Sequence, residues 1–265
     1  MNNQHILRII IGNQECARHI ITAFSHSAVG SNGARLALAA VLEADGDPNL
    51  YRHRNIHHPQ IISIRNIFEG GNLKDARNKQ LFSYEKKINT LVFCTETTYH
   101  LAQRVGTVAE AIGRSLEYIE LDVKKRPDLS EMRDLRDNKI LRGRSILMGM
   151  RLDMTKYQTS ADGLFDFSND ISLCAGYVDH LVLDIGDSMR PIPPSALMPY
   201  LHSIESKMKK DVLSVGISFS KEDTLLMYRD AIRQYSLDIH IDNKKDALHS
   251  SVTKEFITAA DLVYS

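Results

Sequence analysis

Short apolar runs alternate with longer amphipathic runs along most of this chain, and that alternation constrains the fold more than any other feature. Eight short runs have the length and the Val, Ile and Leu content of β-strands. They are residues 6–13, 61–67, 91–97, 116–123, 146–154, 180–187, 213–220 and 237–243. Strands that are separated by helices pair in parallel, because a parallel connection needs a crossover segment. The pattern therefore predicts a parallel α/β sheet.

Eight strand–helix units in a chain of 265 residues predict a closed (β/α)8 TIM-like barrel, a fold that commonly runs to about 250 residues. The alternative is an open doubly wound parallel sheet. We expect one barrel domain over residues 1–265. Residues 14–59 would then form a helical insertion between the first two strands, because 15–24 and 33–44 both resemble helices. Residues 259–264 could add a ninth strand.

Most of the predicted strands have one apolar face and one polar face. In the run 116–123, Ile119, Leu121 and Val123 alternate with Tyr118, Glu120 and Asp122. Successive side chains of a strand point to opposite faces of the sheet. In a barrel the apolar set should pack against the helices, and the polar set should face the interior. An antiparallel sheet with one solvated face gives the same alternation, but the intervening segments resemble helices rather than hairpin turns.

Charged residues concentrate near the predicted carboxyl ends of the strands, where active sites of this fold lie. Burying unpaired carboxylates costs several kcal/mol each, so such groups are expected to be paired, metal-bound, protonated or hydrated. We expect acid–base or catalytic roles for Glu120, Asp122, Asp153, Asp184 and His240. Ion pairs such as Arg151 with Asp122 or Asp184 could equally be structural.

Two further groups of residues are candidates for binding. Arg65 and Arg151 would hold anionic groups, and Asp184 with Asp242 would hold Mg²⁺ or Mn²⁺, which prefer oxygen ligands. Gly216, Ser218 and Ser220 end one strand and lead into a helix, where backbone N–H groups and hydroxyls could bind phosphate. Alternatively, Ser220 only caps that helix, in a capping box with Asp223.

Composition excludes several classes of protein. Lys+Arg and Asp+Glu both number 33, so the basic excess that is typical of nucleic-acid-binding proteins is missing. The three cysteines are far apart and odd in number, which favours a reduced cytoplasmic protein over a disulfide-linked one. No apolar run approaches the roughly 20 residues of a membrane span. We therefore expect neither nucleic acid nor membrane as a partner.

Three functions remain open. The first is a metabolic enzyme of the lyase or isomerase type, which acts on a small anionic or phosphorylated substrate at the C-terminal mouth of the barrel. The second is a metal-dependent hydrolase that uses the same carboxylates with water as nucleophile. The third is a non-catalytic binding or assembly protein whose function lies on a surface patch such as the histidine-rich loop 51–59. Assembly into a homo-oligomer is compatible with all three.

Overall fold

The strands of the computed structural model follow one another in chain order around a barrel. They are Ile6–Ile10 (β1), Arg35–Glu43 (β2), Ile88–Thr95 (β3), Tyr118–Val123 (β4), Leu147–Asp153 (β5), His180–Asp184 (β6), Ser214–Phe219 (β7) and Asp238–Ile241 (β8). The structure describes residues 5–11, 14–28, 34–45, 58–69, 88–124, 127–186, 190–209, 213–242 and 250–264.

The sheet closes on itself in the order β1 to β8. The pairs β2–β3, β3–β4, β4–β5, β6–β7, β7–β8 and β8–β1 are all parallel. Parallel neighbours cannot be joined by tight turns, so helices occupy the connections. The predicted closed (β/α)8 barrel is confirmed, and the open doubly wound sheet is not found.

The described helices fall between and after these strands. They are Gln14–Ser25 (α1), Pro59–Glu69 (α2), Leu101–Ile112 (α3), Leu129–Asp137 (α4), Lys139–Gly143 (α5), Met154–Thr159 (α6), Gly163–Cys174 (α7), Pro194–Lys209 (α8), Glu222–Met227 (α9), Arg229–Tyr235 (α10) and Ser250–Tyr264 (α11). Pro199 lies inside α8, which continues through it. None of these helices is long and apolar enough to cross a membrane.

The chain divides into two compact units, and residues 1–37 with 151–265 form the first. This first unit holds the parallel pairs β6–β7, β7–β8 and β8–β1. Helix α11 packs against α1 and α9. Both faces of the strands are buried: Leu181, Leu183 and Ile217 are fully buried on one face, and polar residues occupy much of the other.

Residues 38–150 form the second unit, which holds the pairs β2–β3, β3–β4 and β4–β5. Helix α3 packs against α2, α4 and α5. Helix α4 begins with a capping box, in which the Asp128 side chain accepts from the Glu131 N–H and the Glu131 side chain accepts from the Asp128 N–H. Such caps satisfy backbone donors that have no partner within the helix.

Three sequence assignments are wrong. The predicted strand 61–67 lies inside helix α2, where Ile61, Ile64 and Phe68 are buried and Arg65 is exposed, at helical spacing. The predicted helix 33–44 is mostly strand β2, which is nearly continuously buried and Ala-rich. The predicted ninth strand 259–264 is the end of helix α11.

The remaining strands are found where they were predicted, with ends that differ by a few residues. Of the predicted helical insertion 14–59, residues 35–43 form a barrel strand. The single-domain organisation stays a prediction. Residues 51–57 of the histidine-rich loop lie outside the described residues.

Candidate functional site

The guanidinium of Arg151 lies among polar side chains from the carboxyl ends of three other strands of the first unit. Its Nη1 donates to Asp242 Oδ2 at 2.7 Å, to Ser218 Oγ at 3.0 Å and to Asp184 Oδ2 at 3.5 Å. The Arg151 side chain is only 3% exposed. We call these four residues the Arg151 cluster. Three of its members, Arg151, Asp184 and Asp242, were among the charges predicted to gather at the strand ends, and Ser218 was a predicted anion ligand.

The two carboxylates of the Arg151 cluster differ in their access to solvent. The Asp184 side chain is 34% exposed, whereas that of Asp242 is 15% exposed. Asp184 Oδ1 also accepts a hydrogen bond from the backbone N–H of Gly186 at 3.0 Å. Gly186 has a φ of 92°, in the left-handed region that favours glycine. The Asp184 carboxylate is therefore oriented from two sides and still reachable from solvent.

Asp153 ends strand β5 and caps the helix that follows. Its Oδ1 accepts from the Thr155 N–H at 3.1 Å and from the Thr155 hydroxyl at 2.5 Å, so it is the N-cap of α6. Its Oδ2 lies 4.0 Å from the ammonium of Lys156. The contacts of Asp153 are those of an N-cap residue, and its predicted catalytic role stays a prediction.

His240 lies deeper than expected, in a buried network on the inner face of the strands. Its Nε2 is 3.0 Å from the Nε2 of His180 and 3.0 Å from Nη1 of Arg8. The same Arg8 nitrogen donates to Asp238 Oδ2 at 3.2 Å. His180 and His240 are 2% and 3% exposed, and their rings stack with centroids 5.1 Å apart. We call Arg8, His180, Asp238 and His240 the histidine network.

Gly216 leaves the space that these imidazoles fill. A Cβ at this position would lie 2.6 Å from His240 Cδ2 and 3.1 Å from His180 Nε2. Gly216 was predicted to help bind an anion, but the two histidine rings are its neighbours here. Ser218 contacts Arg151. Anion binding by Gly216 and Ser218 stays a prediction.

Sequence reasoning missed Arg8, His180 and Asp238 as members of a site. A signal was present, because His180 precedes Asp184 by four residues and Asp238 precedes His240 by two, which places each pair on one strand face. Arg8 stands in the middle of an otherwise apolar strand, Ile6–Ile10. A charged residue inside a buried strand indicates a partner, but which partner depends on the strand register.

Glu120 and Asp122 belong to the second unit. Glu120 is 1% exposed, and Asp122 Oδ2 lies 3.6 Å from the thiol of Cys94, which donates to it. Nearby, Glu96 forms an exposed ion pair with Lys124, and the hydrogen bond from that ammonium to Glu96 raises the pKa of Lys124. The catalytic roles predicted for Glu120 and Asp122 stay predictions.

One predicted binding residue, Arg65, lies elsewhere than expected. Ser220 follows β7 as predicted, so its anion binding stays a prediction, but it does not cap the next helix. Arg65 lies on the exposed side of helix α2 and is not at a strand end, because the apolar run around it has helical rather than strand periodicity. Ser220 is exposed and does not cap α9, whose N-cap is Lys221 without a side-chain cap bond. The predicted capping box at 220–223 is therefore wrong, and α9 itself ends at Met227.

The predicted metal ligands Asp184 and Asp242 both contact the guanidinium of Arg151. Within the described residues, no group of three or more His, Cys, Asp or Glu side chains that could hold a metal ion is found. Binding of Mg²⁺ or Mn²⁺ stays a prediction.

Comparison with known proteins finds similarity of structure alone. No protein-family model and no curated protein matches the sequence. Catalytic site mutants of active domain 2 of the chitinase from Pyrococcus furiosus superpose with a TM-score of 0.60 at 9% identity, over 99% of this chain and 97% of that chain. The same domain of the thermostable chitinase, complexed with chito-oligosaccharides, gives a TM-score of 0.55 at 11% identity, over 98% and 95% of the two chains.

A third similar structure is 2,3-dimethylmalate lyase, a member of the PEP mutase/isocitrate lyase superfamily. It has a TM-score of 0.50 and 11% identity, over 91% of this chain and 76% of that chain. At such identities the likeness shows the barrel fold and nothing of the chemistry.

Proposed function

We propose that this protein is a small-molecule enzyme of the lyase or isomerase type, in which Asp184 exchanges a proton with the substrate. The observation that carries the proposal is the Arg151 cluster, where one buried guanidinium holds two carboxylates of unequal exposure. A lyase and a chitinase among the similar folds support an enzyme-type barrel in general terms.

The charges of the Arg151 cluster support this assignment. Arginine stays protonated in proteins, so Arg151 contributes a permanent positive charge against two carboxylates. Asp242 makes the shorter contact at 2.7 Å and is the more buried, and so neutralises most of that charge. Asp184 makes the longer contact at 3.5 Å and is the more exposed. Asp184 is therefore the carboxylate that a substrate can contact and that can accept its proton.

Proton transfer is the step that lyases and isomerases of small acids share, and it needs a base within hydrogen-bond reach of the substrate. Asp184 is held at Oδ1 by the Gly186 N–H, which fixes its orientation. An anionic substrate also requires a cation, because the Arg151 cluster carries a net negative charge. Lys156 has a side chain that is 61% exposed, and it lies beside Asp153 at the end of β5. We assign Lys156 as the residue that binds the anionic group of the substrate.

The test is hydrogen–deuterium exchange of candidate substrates, followed by proton NMR in D₂O. The panel is phosphorylated sugars, 2-hydroxy acids and dicarboxylates, each with and without Mg²⁺. We expect the enzyme to exchange a C–H proton of one compound. Asp184→Asn should slow the exchange by about 10²- to 10⁴-fold, the usual contribution of a general base.

Asp230→Asn is the matched control, because Asp230 is exposed on α10 and the same charge is removed. Unfolding midpoints of both variants show whether loss of exchange reflects loss of fold. Exchange that survives in Asp184→Asn contradicts the assignment. Turnover that EDTA abolishes and Mn²⁺ restores, with oxygen from water in the product, favours the metal-dependent hydrolase instead. Absence of any exchange, turnover or ligand-induced stabilisation favours the non-catalytic binding protein.

A further inference from the structure

The first unit has a cavity at the amino ends of its strands, at the opposite end of β8 from the Arg151 cluster. Its volume is about 310 Å³, and it is lined by residues from the starts of β1, β6, β7 and β8. A water molecule occupies roughly 30 Å³ in the liquid, so the cavity has room for about ten waters or one small organic molecule. Ligand pockets in proteins begin near 300 Å³. We call it the N-terminal cavity.

The apolar part of its wall comes from Ile6, Met208, Leu213 and Tyr235. Leu213 and Tyr235 are themselves buried in the core. The hydroxyl of Tyr235 is 2.7 Å from Nδ1 of His202, and this contact holds the tyrosine side chain in place. An occupant therefore meets a fixed apolar surface that would stabilise a hydrocarbon or aromatic body.

Ser214 and Asp238 line the polar part of the wall. The Ser214 hydroxyl donates to the carbonyl oxygen of Asp179 at 3.2 Å. Since a hydroxyl has one proton, the 2.6 Å contact between Ser214 Oγ and His180 Nδ1 places the donor on the imidazole. Ser214 thus presents an oxygen lone pair to an occupant, not a proton.

Asp238 is likewise an acceptor. Its Oδ1 accepts from the Ile6 N–H at 3.0 Å, and its Oδ2 accepts from Arg8 at 3.2 Å. Each carboxylate oxygen can accept two hydrogen bonds, so Asp238 keeps acceptor capacity beyond these two. A second carboxylate, Asp179, lines the same cavity, and neither lysine nor arginine is among those lining residues that the structure describes. The polar wall is suited to a hydrogen-bond donor that carries positive charge.

The histidine network holds this wall rigid. His180 contacts the exposed Ser214 as well as His240, and Arg8 contacts Asp238; Arg8, His180 and His240 are themselves buried. A preorganised set of acceptors needs no rearrangement when a ligand binds, which lowers the cost of binding.

We propose that the N-terminal cavity is a second binding site, which takes a small organic ammonium ion with an apolar body. The ammonium group donates to Ser214 Oγ and Asp238, and the body packs between Met208, Leu213 and Tyr235. The site is separate from the Arg151 cluster, so occupancy does not require the proposed catalytic residue Asp184.

Three probes of nearly equal shape test the charge that the cavity selects: benzylamine, benzyl alcohol and benzoate. Binding is followed by calorimetric titration at pH 7.5, where benzylamine is protonated, and by the side-chain ¹H–¹⁵N spectrum of the histidines. We expect benzylamine to bind at least tenfold more tightly than either analogue and to shift the His180 resonances, because His180 Nδ1 is bonded to Ser214. Equal binding of benzoate or benzyl alcohol overturns the proposal, as does the absence of benzylamine binding.

Met208→Trp should fill the N-terminal cavity and weaken benzylamine binding at least tenfold. Met227→Trp is its control, because Met227 is exposed on α9. Asp238→Asn removes the charge at the polar wall and should also weaken benzylamine binding. Asp179→Asn serves in its place if Asp238→Asn does not fold.

Asp184→Asn should bind benzylamine with unchanged affinity, which separates this site from the proposed catalytic one. Unweakened binding in Met208→Trp overturns the location of the site.

Discussion

At the scale of single residues, the histidine network shows how a buried strand accommodates charge. Arg8 cannot lose its proton, and its cost of burial is offset only by partners with good geometry. Asp238 supplies the opposite charge at 3.2 Å, and Nε2 of His240 and of His180 lie 3.0 and 3.2 Å from the same Arg8 nitrogen. That nitrogen, Nη1, carries two protons, so it cannot donate a separate hydrogen bond to all three neighbours.

Gly216→Ala tests how tightly the two imidazoles are packed. The new methyl group would overlap His240 at 2.6 Å, and overpacking of a filled core usually costs about 1–3 kcal/mol. We expect a loss of that size in the free energy of unfolding, measured by urea denaturation. Gly176→Ala is the control, because nothing lies within 4 Å of a Cβ built there. Equal stability of the two variants would show that the rings move aside.

The site residues that were predicted from sequence are those at the ends of strands, because the end of a strand can be located from its own sequence pattern. Asp184 and Asp242 follow apolar alternation and end their strands, so their meeting at a common edge was expected. Their shared contact with Arg151, which lies on β5, depends on how neighbouring strands are aligned, including β6 against β7 and β7 against β8. The pattern of a single strand does not identify which residues of its neighbours it meets. Arg8 and His180 were missed for the same reason.

At the scale of elements, helix α11 is joined to the first and last strands by its final tyrosine. The Tyr264 hydroxyl donates to the carbonyl oxygen of Leu237, just before β8. Its ring stacks on His5, just before β1, with centroids 4.5 Å apart. Burial, together with the charge of Asp238, raises the pKa of Tyr264 well above its ordinary value.

This pKa shift predicts a loss of stability at alkaline pH. The folded state favours the protonated tyrosine, so its contribution is complete below the ordinary pKa of about 10 and decreases as the pH rises beyond it. The free energy of unfolding should therefore fall by up to about 1.4 kcal/mol per pH unit above pH 10 on account of this group. Urea denaturation between pH 8 and 11 measures the decline.

Tyr264→Phe should remove part of that alkaline decline. The difference in stability between wild type and variant should be constant below pH 9 and shrink above pH 10. Burial also raises the pKa of Tyr228, so part of the alkaline decline in stability should persist in the variant. Parallel pH profiles of the two proteins would contradict the role of Tyr264.

Element types were predicted well where the apolar period was clear. Strands β4, β7 and β8 alternate strictly, β5 and β6 do so over most of their length, and period-2 alternation has few other interpretations. Strand β2 was mistaken for a helix because Ala-rich runs favour helices, although a strand buried on both faces is also continuously apolar. Helix α2 was mistaken for a strand because four isoleucines within residues 61–67 suggested one apolar run, whereas the buried Ile61, Ile64 and Phe68 follow helical spacing and Arg65 is exposed.

At the scale of the whole molecule, the two compact units differ in how the chain builds them. The second unit is one continuous stretch, residues 38–150, whereas the first combines residues 1–37 with 151–265. The first unit is completed by pairing of β1 with β8, in the register Arg8 with His240. The ring contact between His5 and Tyr264 places both ends of the described chain side by side.

A circular permutant should therefore fold. We would join residues 265 and 1 by a six-residue Gly/Ser linker and open the chain between Ala161 and Asp162, in the exposed turn before α7. We expect far-UV circular dichroism and a cooperative unfolding transition like those of the parent. A permutant opened between Gly216 and Ile217, inside buried β7, should not fold. Failure of the first permutant alone would contradict the placement of the two ends.

The pairing of β1 with β8 also has a consequence for synthesis on the ribosome. Strand β1 emerges before the other barrel strands, but its partner is translated more than two hundred residues later, which takes roughly ten seconds or longer at 5–20 residues per second. Arg8 and the apolar residues of β1 wait through that interval without Asp238 and His240, while residues 38–150 can already form their own contacts. During synthesis, the edge of β1 that pairs with β8 therefore waits longest for its partner strand.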